Sequence, residues 1–139
     1  MGIKKLLNHL EKEVYCELKP SVLSGIGVFA LKDIPQGVNP FIEKDTKYIS
    51  VKEEHIERLD TNVKEYIKKL FVYSNGNYFL PKNGIQTLCI THYLNHSDNP
   101  NIFTNENCDV FIAMRDIKRG EELTINYNLF DDAKEDFRK

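Results

Sequence analysis

The chain has 139 residues, with 19 lysines and arginines against 21 aspartates and glutamates, for a formal net charge of −2. That length fits one domain able to bury about two-thirds of its unfolded surface, and the near-balanced charge leaves no basic field to hold nucleic acid by its phosphates. No apolar run is long enough to cross a bilayer and no secretory leader pattern opens the chain, so the composition predicts a soluble intracellular protein without a membrane partner.

In chain order, Ile3, Leu6, Leu7 and Leu10 repeat at helical spacing, with Lys4, Lys5, Glu11 and Lys12 on the other face. A helix this short is marginal alone, so it needs a partner surface, either its own domain or a second copy in a homodimer. Val14–Lys19 alternates as a half-buried strand should, and Pro20 and Ser21 are expected to end it. Cys16, like Cys89 and Cys108, sits among apolar or strand-like residues, which predicts reduced, buried thiols rather than a disulfide or a metal cage. A Gly25-Ile26-Gly27 turn then feeds a strand over Val28–Leu31.

The stretch Ala30-Leu31-Lys32-Asp33-Ile34-Pro35-Gln36-Gly37 is echoed by Ala113-Met114-Arg115-Asp116-Ile117-Lys118-Arg119-Gly120. Each copy reads as a strand end, an Asp-initiated turn closed by glycine and a second strand start. This is either shared hairpin chemistry or the mark of a fold assembled from small strand-turn-strand pieces. Between the copies lies the substantial helical material. Ser50-Val51-Lys52-Glu53 matches a capping box, and His55, Ile56, Leu59, Val63, Tyr66, Ile67 and Leu70 keep a helical period across a break near Asp60-Thr61-Asn62. Ser74-Asn75-Gly76-Asn77 is a hairpin turn between strands at Val72-Tyr73 and Tyr78-Phe79-Leu80. A second hairpin pairs Ile102–Thr104 with Val110–Met114 around Asn105-Glu106-Asn107, and the charged segment from Asp131 onward is expected to fray.

Two stretches carry the chemistry. In Tyr93-Leu94-Asn95-His96-Ser97-Asp98-Asn99-Pro100-Asn101, Pro100 drives Asn99 out of the helical region, so the segment ends in a loop that short polar side chains can fix around a ligand. In Gly120-Glu121-Glu122-Leu123-Thr124-Ile125-Asn126-Tyr127, a glycine turn opens a strand that ends on a phenol. Upstream, Gly25–Ala30 formally fits the G-x-G-x-x-A dinucleotide fingerprint. Its downstream residues are strand-like, however, and no full βαβ unit surrounds it, which excludes that reading. What survives is the glycine logic: without a Cβ the backbone can approach a ligand closely or take positive φ. His92 and His96, four apart, could ligate zinc with Cys89 or Asp98 as third ligand. Asn99-Pro100 stops any helix there and no H-E-x-x-H glutamate accompanies the pair, so no metal is expected.

Taken together, the G-x-G turn, the N-H-S-x-x-P-N loop and the E-L-x-x-N-Y strand resemble the signature segments of the SET-domain protein-lysine methyltransferases. The resemblance implies a mostly β fold (the β-clip or SET fold): several small antiparallel sheets with a C-terminal pseudoknot, a short helical insert and an N-terminal helix. It divides the chain into an N-terminal helix at 1–12, a first SET part at 13–47, a variable insert at 48–86, a second SET part at 87–128 and a tail at 129–139. The implied reaction is methyl transfer from S-adenosyl-L-methionine to the ε-amine of an accessible lysine in a protein substrate, such as a histone or another basic protein. By the same resemblance Gly25, Ile26 and Gly27 contact the cofactor through main-chain groups, the Asn95 amide and His96 imidazole bond it, and Tyr93, Tyr127 and Phe130 complete its surroundings.

Tyr127 would be catalytic, fixing the attacking amine in a desolvated channel shared with Tyr93 and Ile125. The position that is often cysteine in the family is Asp98, and no cysteine follows Tyr127, so a zinc-binding module is not implied. Leu129, Phe130 and Phe137 are then the candidates to cover the lysine channel. The family's usual Asp before the tyrosine is Asn126, and its frequent Arg-Phe before the Asn-His pair is His92-Tyr93, which keeps the aromatic and weakens the cation. Ile125, apolar where an aromatic residue tunes methyl number, implies di- or trimethylation. A SET-like module that binds a lysine tail without turnover is the rival reading.

Overall fold

The computed structural model describes residues 2–41, 47–82, 84–85 and 89–131. Phe137 and the tail beyond Asp131 lie outside the described residues. In order, the elements are α1 (Ile3–Lys12), β1 (Cys16–Pro20), β2 (Ile26–Ala30), β3 (Tyr48–Lys52), α2 (Glu53–Glu57), α3 (Thr61–Leu70), β4 (Tyr73–Ser74), β5 (Asn77–Pro81), a 3₁₀ turn at Ile90–Tyr93, β6 (Asn95–His96), β7 (Ile102–Thr104), β8 (Phe111–Ala113), β9 (Glu122–Ile125) and a 3₁₀ turn at Tyr127–Leu129. The strands form three small sheets in the orders β1-β2-β9-β6, β3-β5-β4 and β7-β8. This mostly β architecture of small sheets matches the expected fold class.

The largest sheet holds the three signature segments side by side. β9 lies between β2, which it meets antiparallel, and β6, which it meets in parallel register with Asn95 opposite Thr124 and His96 opposite Ile125. A parallel pair needs a long connection, and here it is the hairpin β7-β8 and the turn after it. The loop after β6 clasps β9 from the side. Ser97 N donates to Ile125 O at 2.9 Å, while the buried Asn101 amide donates to Glu122 O and accepts from Thr124 N. β9 therefore threads between a strand and a loop that precede it, which is the knotted passage the resemblance implied.

The faint repeat turns out to be a reciprocal clasp. Ile34 and Ile117, each fully buried, exchange both backbone hydrogen bonds. Gly37 N donates to Ala113 O and Gly120 N to Ala30 O, so each copy closes on the start of the other. Asp33 Oδ1 accepts from Arg119 N at 2.9 Å, and Asp116 Oδ1 accepts from Gln36 N at 2.8 Å. Each aspartate thus caps its partner's turn rather than its own, and the main core gathers around the crossing from Val28, Ala30, Ile34, Leu94, Ile102, Ala113, Ile117 and Leu123.

A smaller second core belongs to the insert, where Ile56, Ile67 and Phe71 pack with Tyr78. Burial, reinforced by the nearby Glu53 and Asp131 carboxylates, pushes the Tyr78 phenol up to about 12. Asn75 and Gly76 both take positive φ, at 53° and 79°, as a tight type I′ hairpin requires. That hairpin recruits a third strand, and here the expected capping box fails. Ser50 lies in β3 opposite Phe79, the residue preceding α2 is Lys52 without a side-chain cap, and Glu53 instead accepts from the Tyr73 hydroxyl at 2.7 Å. Cross-strand pairing overrode a local capping preference.

Other expectations shift in detail. β1 continues through Pro20, which an outer strand tolerates because the missing N–H can face solvent. Asp131 is buried and accepts from Tyr73 N, which ties this residue to the insert, while the rest of the segment expected to fray lies outside the described residues. The cysteines are free and half-buried, and burial pushes the Cys16 thiol up to about 12. α1 buries none of its residues, with Ile3, Leu7 and Leu10 at 78%, 59% and 52% exposure, so its stripe does not pack on its own domain among the described residues.

The clasp generates a test. Asp33→Ala and Asp116→Ala should each cost about 1 kcal/mol, the scale of one lost hydrogen bond to an exposed carboxylate. Because both caps hold one crossing, urea denaturation of the double variant should depart from additivity by about 0.5 kcal/mol or more. Strict additivity would mean that the two turns are independent.

Candidate functional site

The site begins with the turn between β1 and β2. Ser21 N donates to Gly25 O, the Ser21 hydroxyl accepts from Leu23 N, and Gly25 holds φ at +47°, where a side chain would be strained. Gly27 already lies within β2 and is buried. A Cβ there would overlap the Glu122 carboxylate and displace it from its hydrogen bonds, so this glycine serves packing and not the turn.

Glu122 is the residue that sequence reasoning quoted but gave no role. Its two oxygens accept from Ser21 Oγ at 2.7 and 2.9 Å, and Oε2 also accepts from Asn95 Nδ2 at 2.8 Å. The same amide donates to Ser24 O at 3.0 Å. Both Asn95 partners are acceptors, which fixes the amide with its nitrogen toward them. Glu122, Asn95, Ser21 and Ser24 thereby close a ring that locks the glycine turn to β6 and β9. The pairing of E-L with N-H across a large sequence gap was the available signal: a carboxylate and an amide in two motifs that must meet.

His96 is equally committed. Its Nδ1 accepts from Tyr127 N at 3.0 Å, and its Nε2 lies 2.8 Å from Asp98 Oδ1. A main-chain N–H can only donate, so Nδ1 carries the lone pair and Nε2 carries the hydrogen that reaches Asp98. Hence the Asn95 amide nitrogen and both His96 ring nitrogens are held by protein partners, which leaves the Asn95 Oδ1, main chain and ring surface toward a ligand. Asp98, considered above as a metal ligand, orients this imidazole. His92 sits in the 3₁₀ turn, its Nε2 2.9 Å from the Tyr48 hydroxyl and its ring 4.8 Å from that of Phe71. His92 and His96 therefore face different partners, and among the described residues no group of three or more His, Cys, Asp or Glu could hold a metal ion.

Tyr127 stands just beyond β9. Asn126 Oδ1 accepts from Asn128 N at 2.9 Å, capping the 3₁₀ turn that Tyr127 opens. That structural role needs an acceptor and no charge. The Tyr127 hydroxyl donates to Leu94 O at 2.5 Å, and its ring centroid lies 5.3 Å from that of His96. Since β9 ends at Ile125, the strand alternation that would have put Ile125 and Tyr127 on one side does not carry through. Ile125 is 3% exposed in the main core, and Phe130, 6.0 Å from Tyr127 ring to ring, is buried in the same cluster.

These parts surround a cavity of about 370 Å³, within the range of small-molecule sites. Residues 23–26 form one wall, residues 92–96 with Tyr127 form the floor, and Tyr66, Lys69 and Leu70 of α3 close the third side. Gly25, Ile26, Tyr93, Asn95, His96 and Tyr127 thus meet in one place, with Gly27 behind them. Ile125 and Phe130 do not line it. The α3 wall was not foreseen as part of this cavity; its i, i+3, i+4 spacing is visible in sequence, but which surface it faces is not. Burial raises the Tyr66 phenol above its ordinary value, aided by its hydrogen-bonded neighbour Tyr93.

No curated protein matches the sequence. Among solved structures, a Plasmodium falciparum protein named as a candidate histone methyltransferase is similar at 22% identity and a TM-score of 0.49, over 81% of this chain and 92% of that one. The SET domain family model matches residues 25–128, which spans the cavity floor and the Asn95 and Glu122 members of the ring, with Ser21 and Ser24 just before it. With well over half its length inside that match, this chain belongs to the SET-domain family.

Proposed function

We propose that the protein transfers methyl groups from S-adenosyl-L-methionine to the ε-amine of lysine in a protein substrate, without a metal. The observation that carries this reading is the convergence of the glycine turn, the Asn95-His96 strand and Tyr127 on one cavity in a SET domain, a family whose members are generally protein-lysine methyltransferases. The cofactor fits the donors present: a nucleoside-sized hollow with exposed main chain at residues 23–26, aromatic and apolar walls, and an amine at Lys69. When bound, S-adenosyl-L-methionine supplies an electrophilic methyl on a sulfonium.

The chain's own residues do the rest. The Glu122 ring holds the glycine turn at a fixed distance from β6, so the pocket is preformed rather than assembled by the ligand. Tyr127 donates its proton to Leu94 O, so toward an incoming amine its oxygen acts as the acceptor of an N–H. That hydrogen bond orients the nitrogen lone pair, and the neighbouring aromatic rings exclude water, which favours the neutral, nucleophilic amine. The Tyr127 N–H to His96 Nδ1 bond fixes where the phenol stands. We extend the proposal to product and assembly. Ile125 brings no polar atom to the core against which Tyr127 packs, which supports addition of more than one methyl. The α1 stripe, exposed among the described residues, supports pairing with a second chain.

Calorimetric titration of the full chain with S-adenosyl-L-methionine should show binding, and a lysine-peptide array read by mass spectrometry should show methylation that persists after chelator treatment. A chain that binds the cofactor and a lysine peptide without turnover would be the rival binding module. In the same assay, Tyr127→Phe should lower turnover by roughly a hundredfold, the scale of a lost positioned polar group, with a much smaller change in cofactor affinity. Near-normal turnover would remove Tyr127 from the chemistry. Under excess cofactor the product should pass beyond one methyl, and a product that stalls there overturns the methyl-number reading. Sedimentation should report a dimer for the full chain and a monomer once residues 1–12 are removed; a monomer in both would leave α1 without that role.

A further inference from the structure

The cavity's charge is uneven in a way the signature segments do not account for. Among the described residues no Asp or Glu lines it, both imidazoles on its floor are held by protein partners, and Lys69 is the lining residue with an ammonium group. The family's frequent cation before the Asn-His pair is replaced by His92, whose Nε2 meets the Tyr48 hydroxyl and whose ring packs on Phe71. His92 therefore cannot turn a charged group into the cavity without leaving both partners.

Lys69 arrives from elsewhere in the chain. α3 buries Ile67 in the insert's core, which sets the rotation of the helix about its axis. Positions 66, 69 and 70 then share the adjacent face and meet the cavity together. Other α3 lysines are used differently: Lys64 and Lys68 pair with Glu57, at 3.4 and 2.5 Å, holding α3 against α2 and drawing the Glu57 carboxyl below its usual range. Those ion pairs leave Lys69 on the cavity side while its neighbours hold the helix in place.

We propose that Lys69 binds the carboxylate of the cofactor's amino-acid end, supplying from the insert the positive charge that position 92 lacks. This rests on the cofactor reading above and adds the orientation of the ligand, with its anionic end toward α3. The ammonium is a flexible point charge, so it serves a carboxylate without the fixed fork of an arginine.

The test compares two ligands on the full chain by calorimetry: S-adenosylhomocysteine, which has the carboxylate, and 5′-methylthioadenosine, which shares the nucleoside and thioether without the amino-acid end. Wild type should prefer S-adenosylhomocysteine by about tenfold or more, the scale of one charge-assisted hydrogen bond. Lys69→Ala should remove most of that preference and leave 5′-methylthioadenosine within about twofold, while Lys69→Arg should restore it. An equal loss for both ligands would mean that Lys69 merely supports the helix, and an unchanged preference in Lys69→Ala would mean that it does not touch the carboxylate; either overturns the proposal. If wild type binds neither ligand, the cofactor reading itself falls and this assignment falls with it.

Discussion

A half-buried carboxylate with neutral partners holds this structure together at its site. Glu122 accepts hydrogen bonds from the Ser21 hydroxyl and the Asn95 amide, and Gly27 lies so close that a Cβ there would push this carboxylate out of place. A carboxylate removed from water is costly unless its lone pairs are filled, so the three segments carrying these groups are bound to one arrangement. Ser21 sets the turn before β2, Asn95 begins β6, and Glu122 begins β9. Separating any of them would strand an acceptor in a place water reaches poorly. The geometry of the cavity follows from this constraint, since its floor and one wall are the outer faces of the same segments.

The threaded passage of β9 serves the same end. β6 is too short to hold position by its own ladder, having only Asn95 and His96 paired with Thr124 and Ile125. Asn101 compensates by bonding Glu122 O and Thr124 N with one buried amide, and Ser97 N reaches Ile125 O, so the loop grips the strand at both ends of that pairing. Beneath them the Ile34–Ile117 clasp joins the first and second halves of the domain, with each aspartate capping the opposite turn. A site built from distant chain segments thus rests on reciprocal contacts between two related turns.

The insert contributes more than a covering. Its own core and three-stranded sheet fix α3, and α3 closes the cavity with a phenol, an ammonium and a leucine. Two of the insert's lysines are spent on Glu57, and the buried Asp131 ties the hairpin back to the end of the second half. The part of the fold that the signature segments leave undefined therefore sets the electrostatics of the pocket's third side.

The sequence alone determined the family and the residues at the floor of the site, because glycines, a proline-stopped Asn-His loop and a strand ending near tyrosine constrain the backbone locally. Hydrophobic period placed α1, α3 and both hairpins close to where they stand, and Asn75-Gly76 announced its turn through the positive φ it needs. Tertiary structure decided what local chemistry leaves open. Ser50 matched a cap and became a strand because Phe79 was there to pair with it. Ile125 stands two before Tyr127, but the strand ends beside it, so it is shared packing in the core and not strand alternation that brings the two together. Asn95 and His96 were legible as site residues, but the roles of the Asn95 partners were not, since Ser24 stands 71 residues away and Glu122 27, and they meet it only across the sheet. Spacing along a chain reports which residues can share a face; which surface that face meets is fixed by long-range packing, and so was the direction of Lys69.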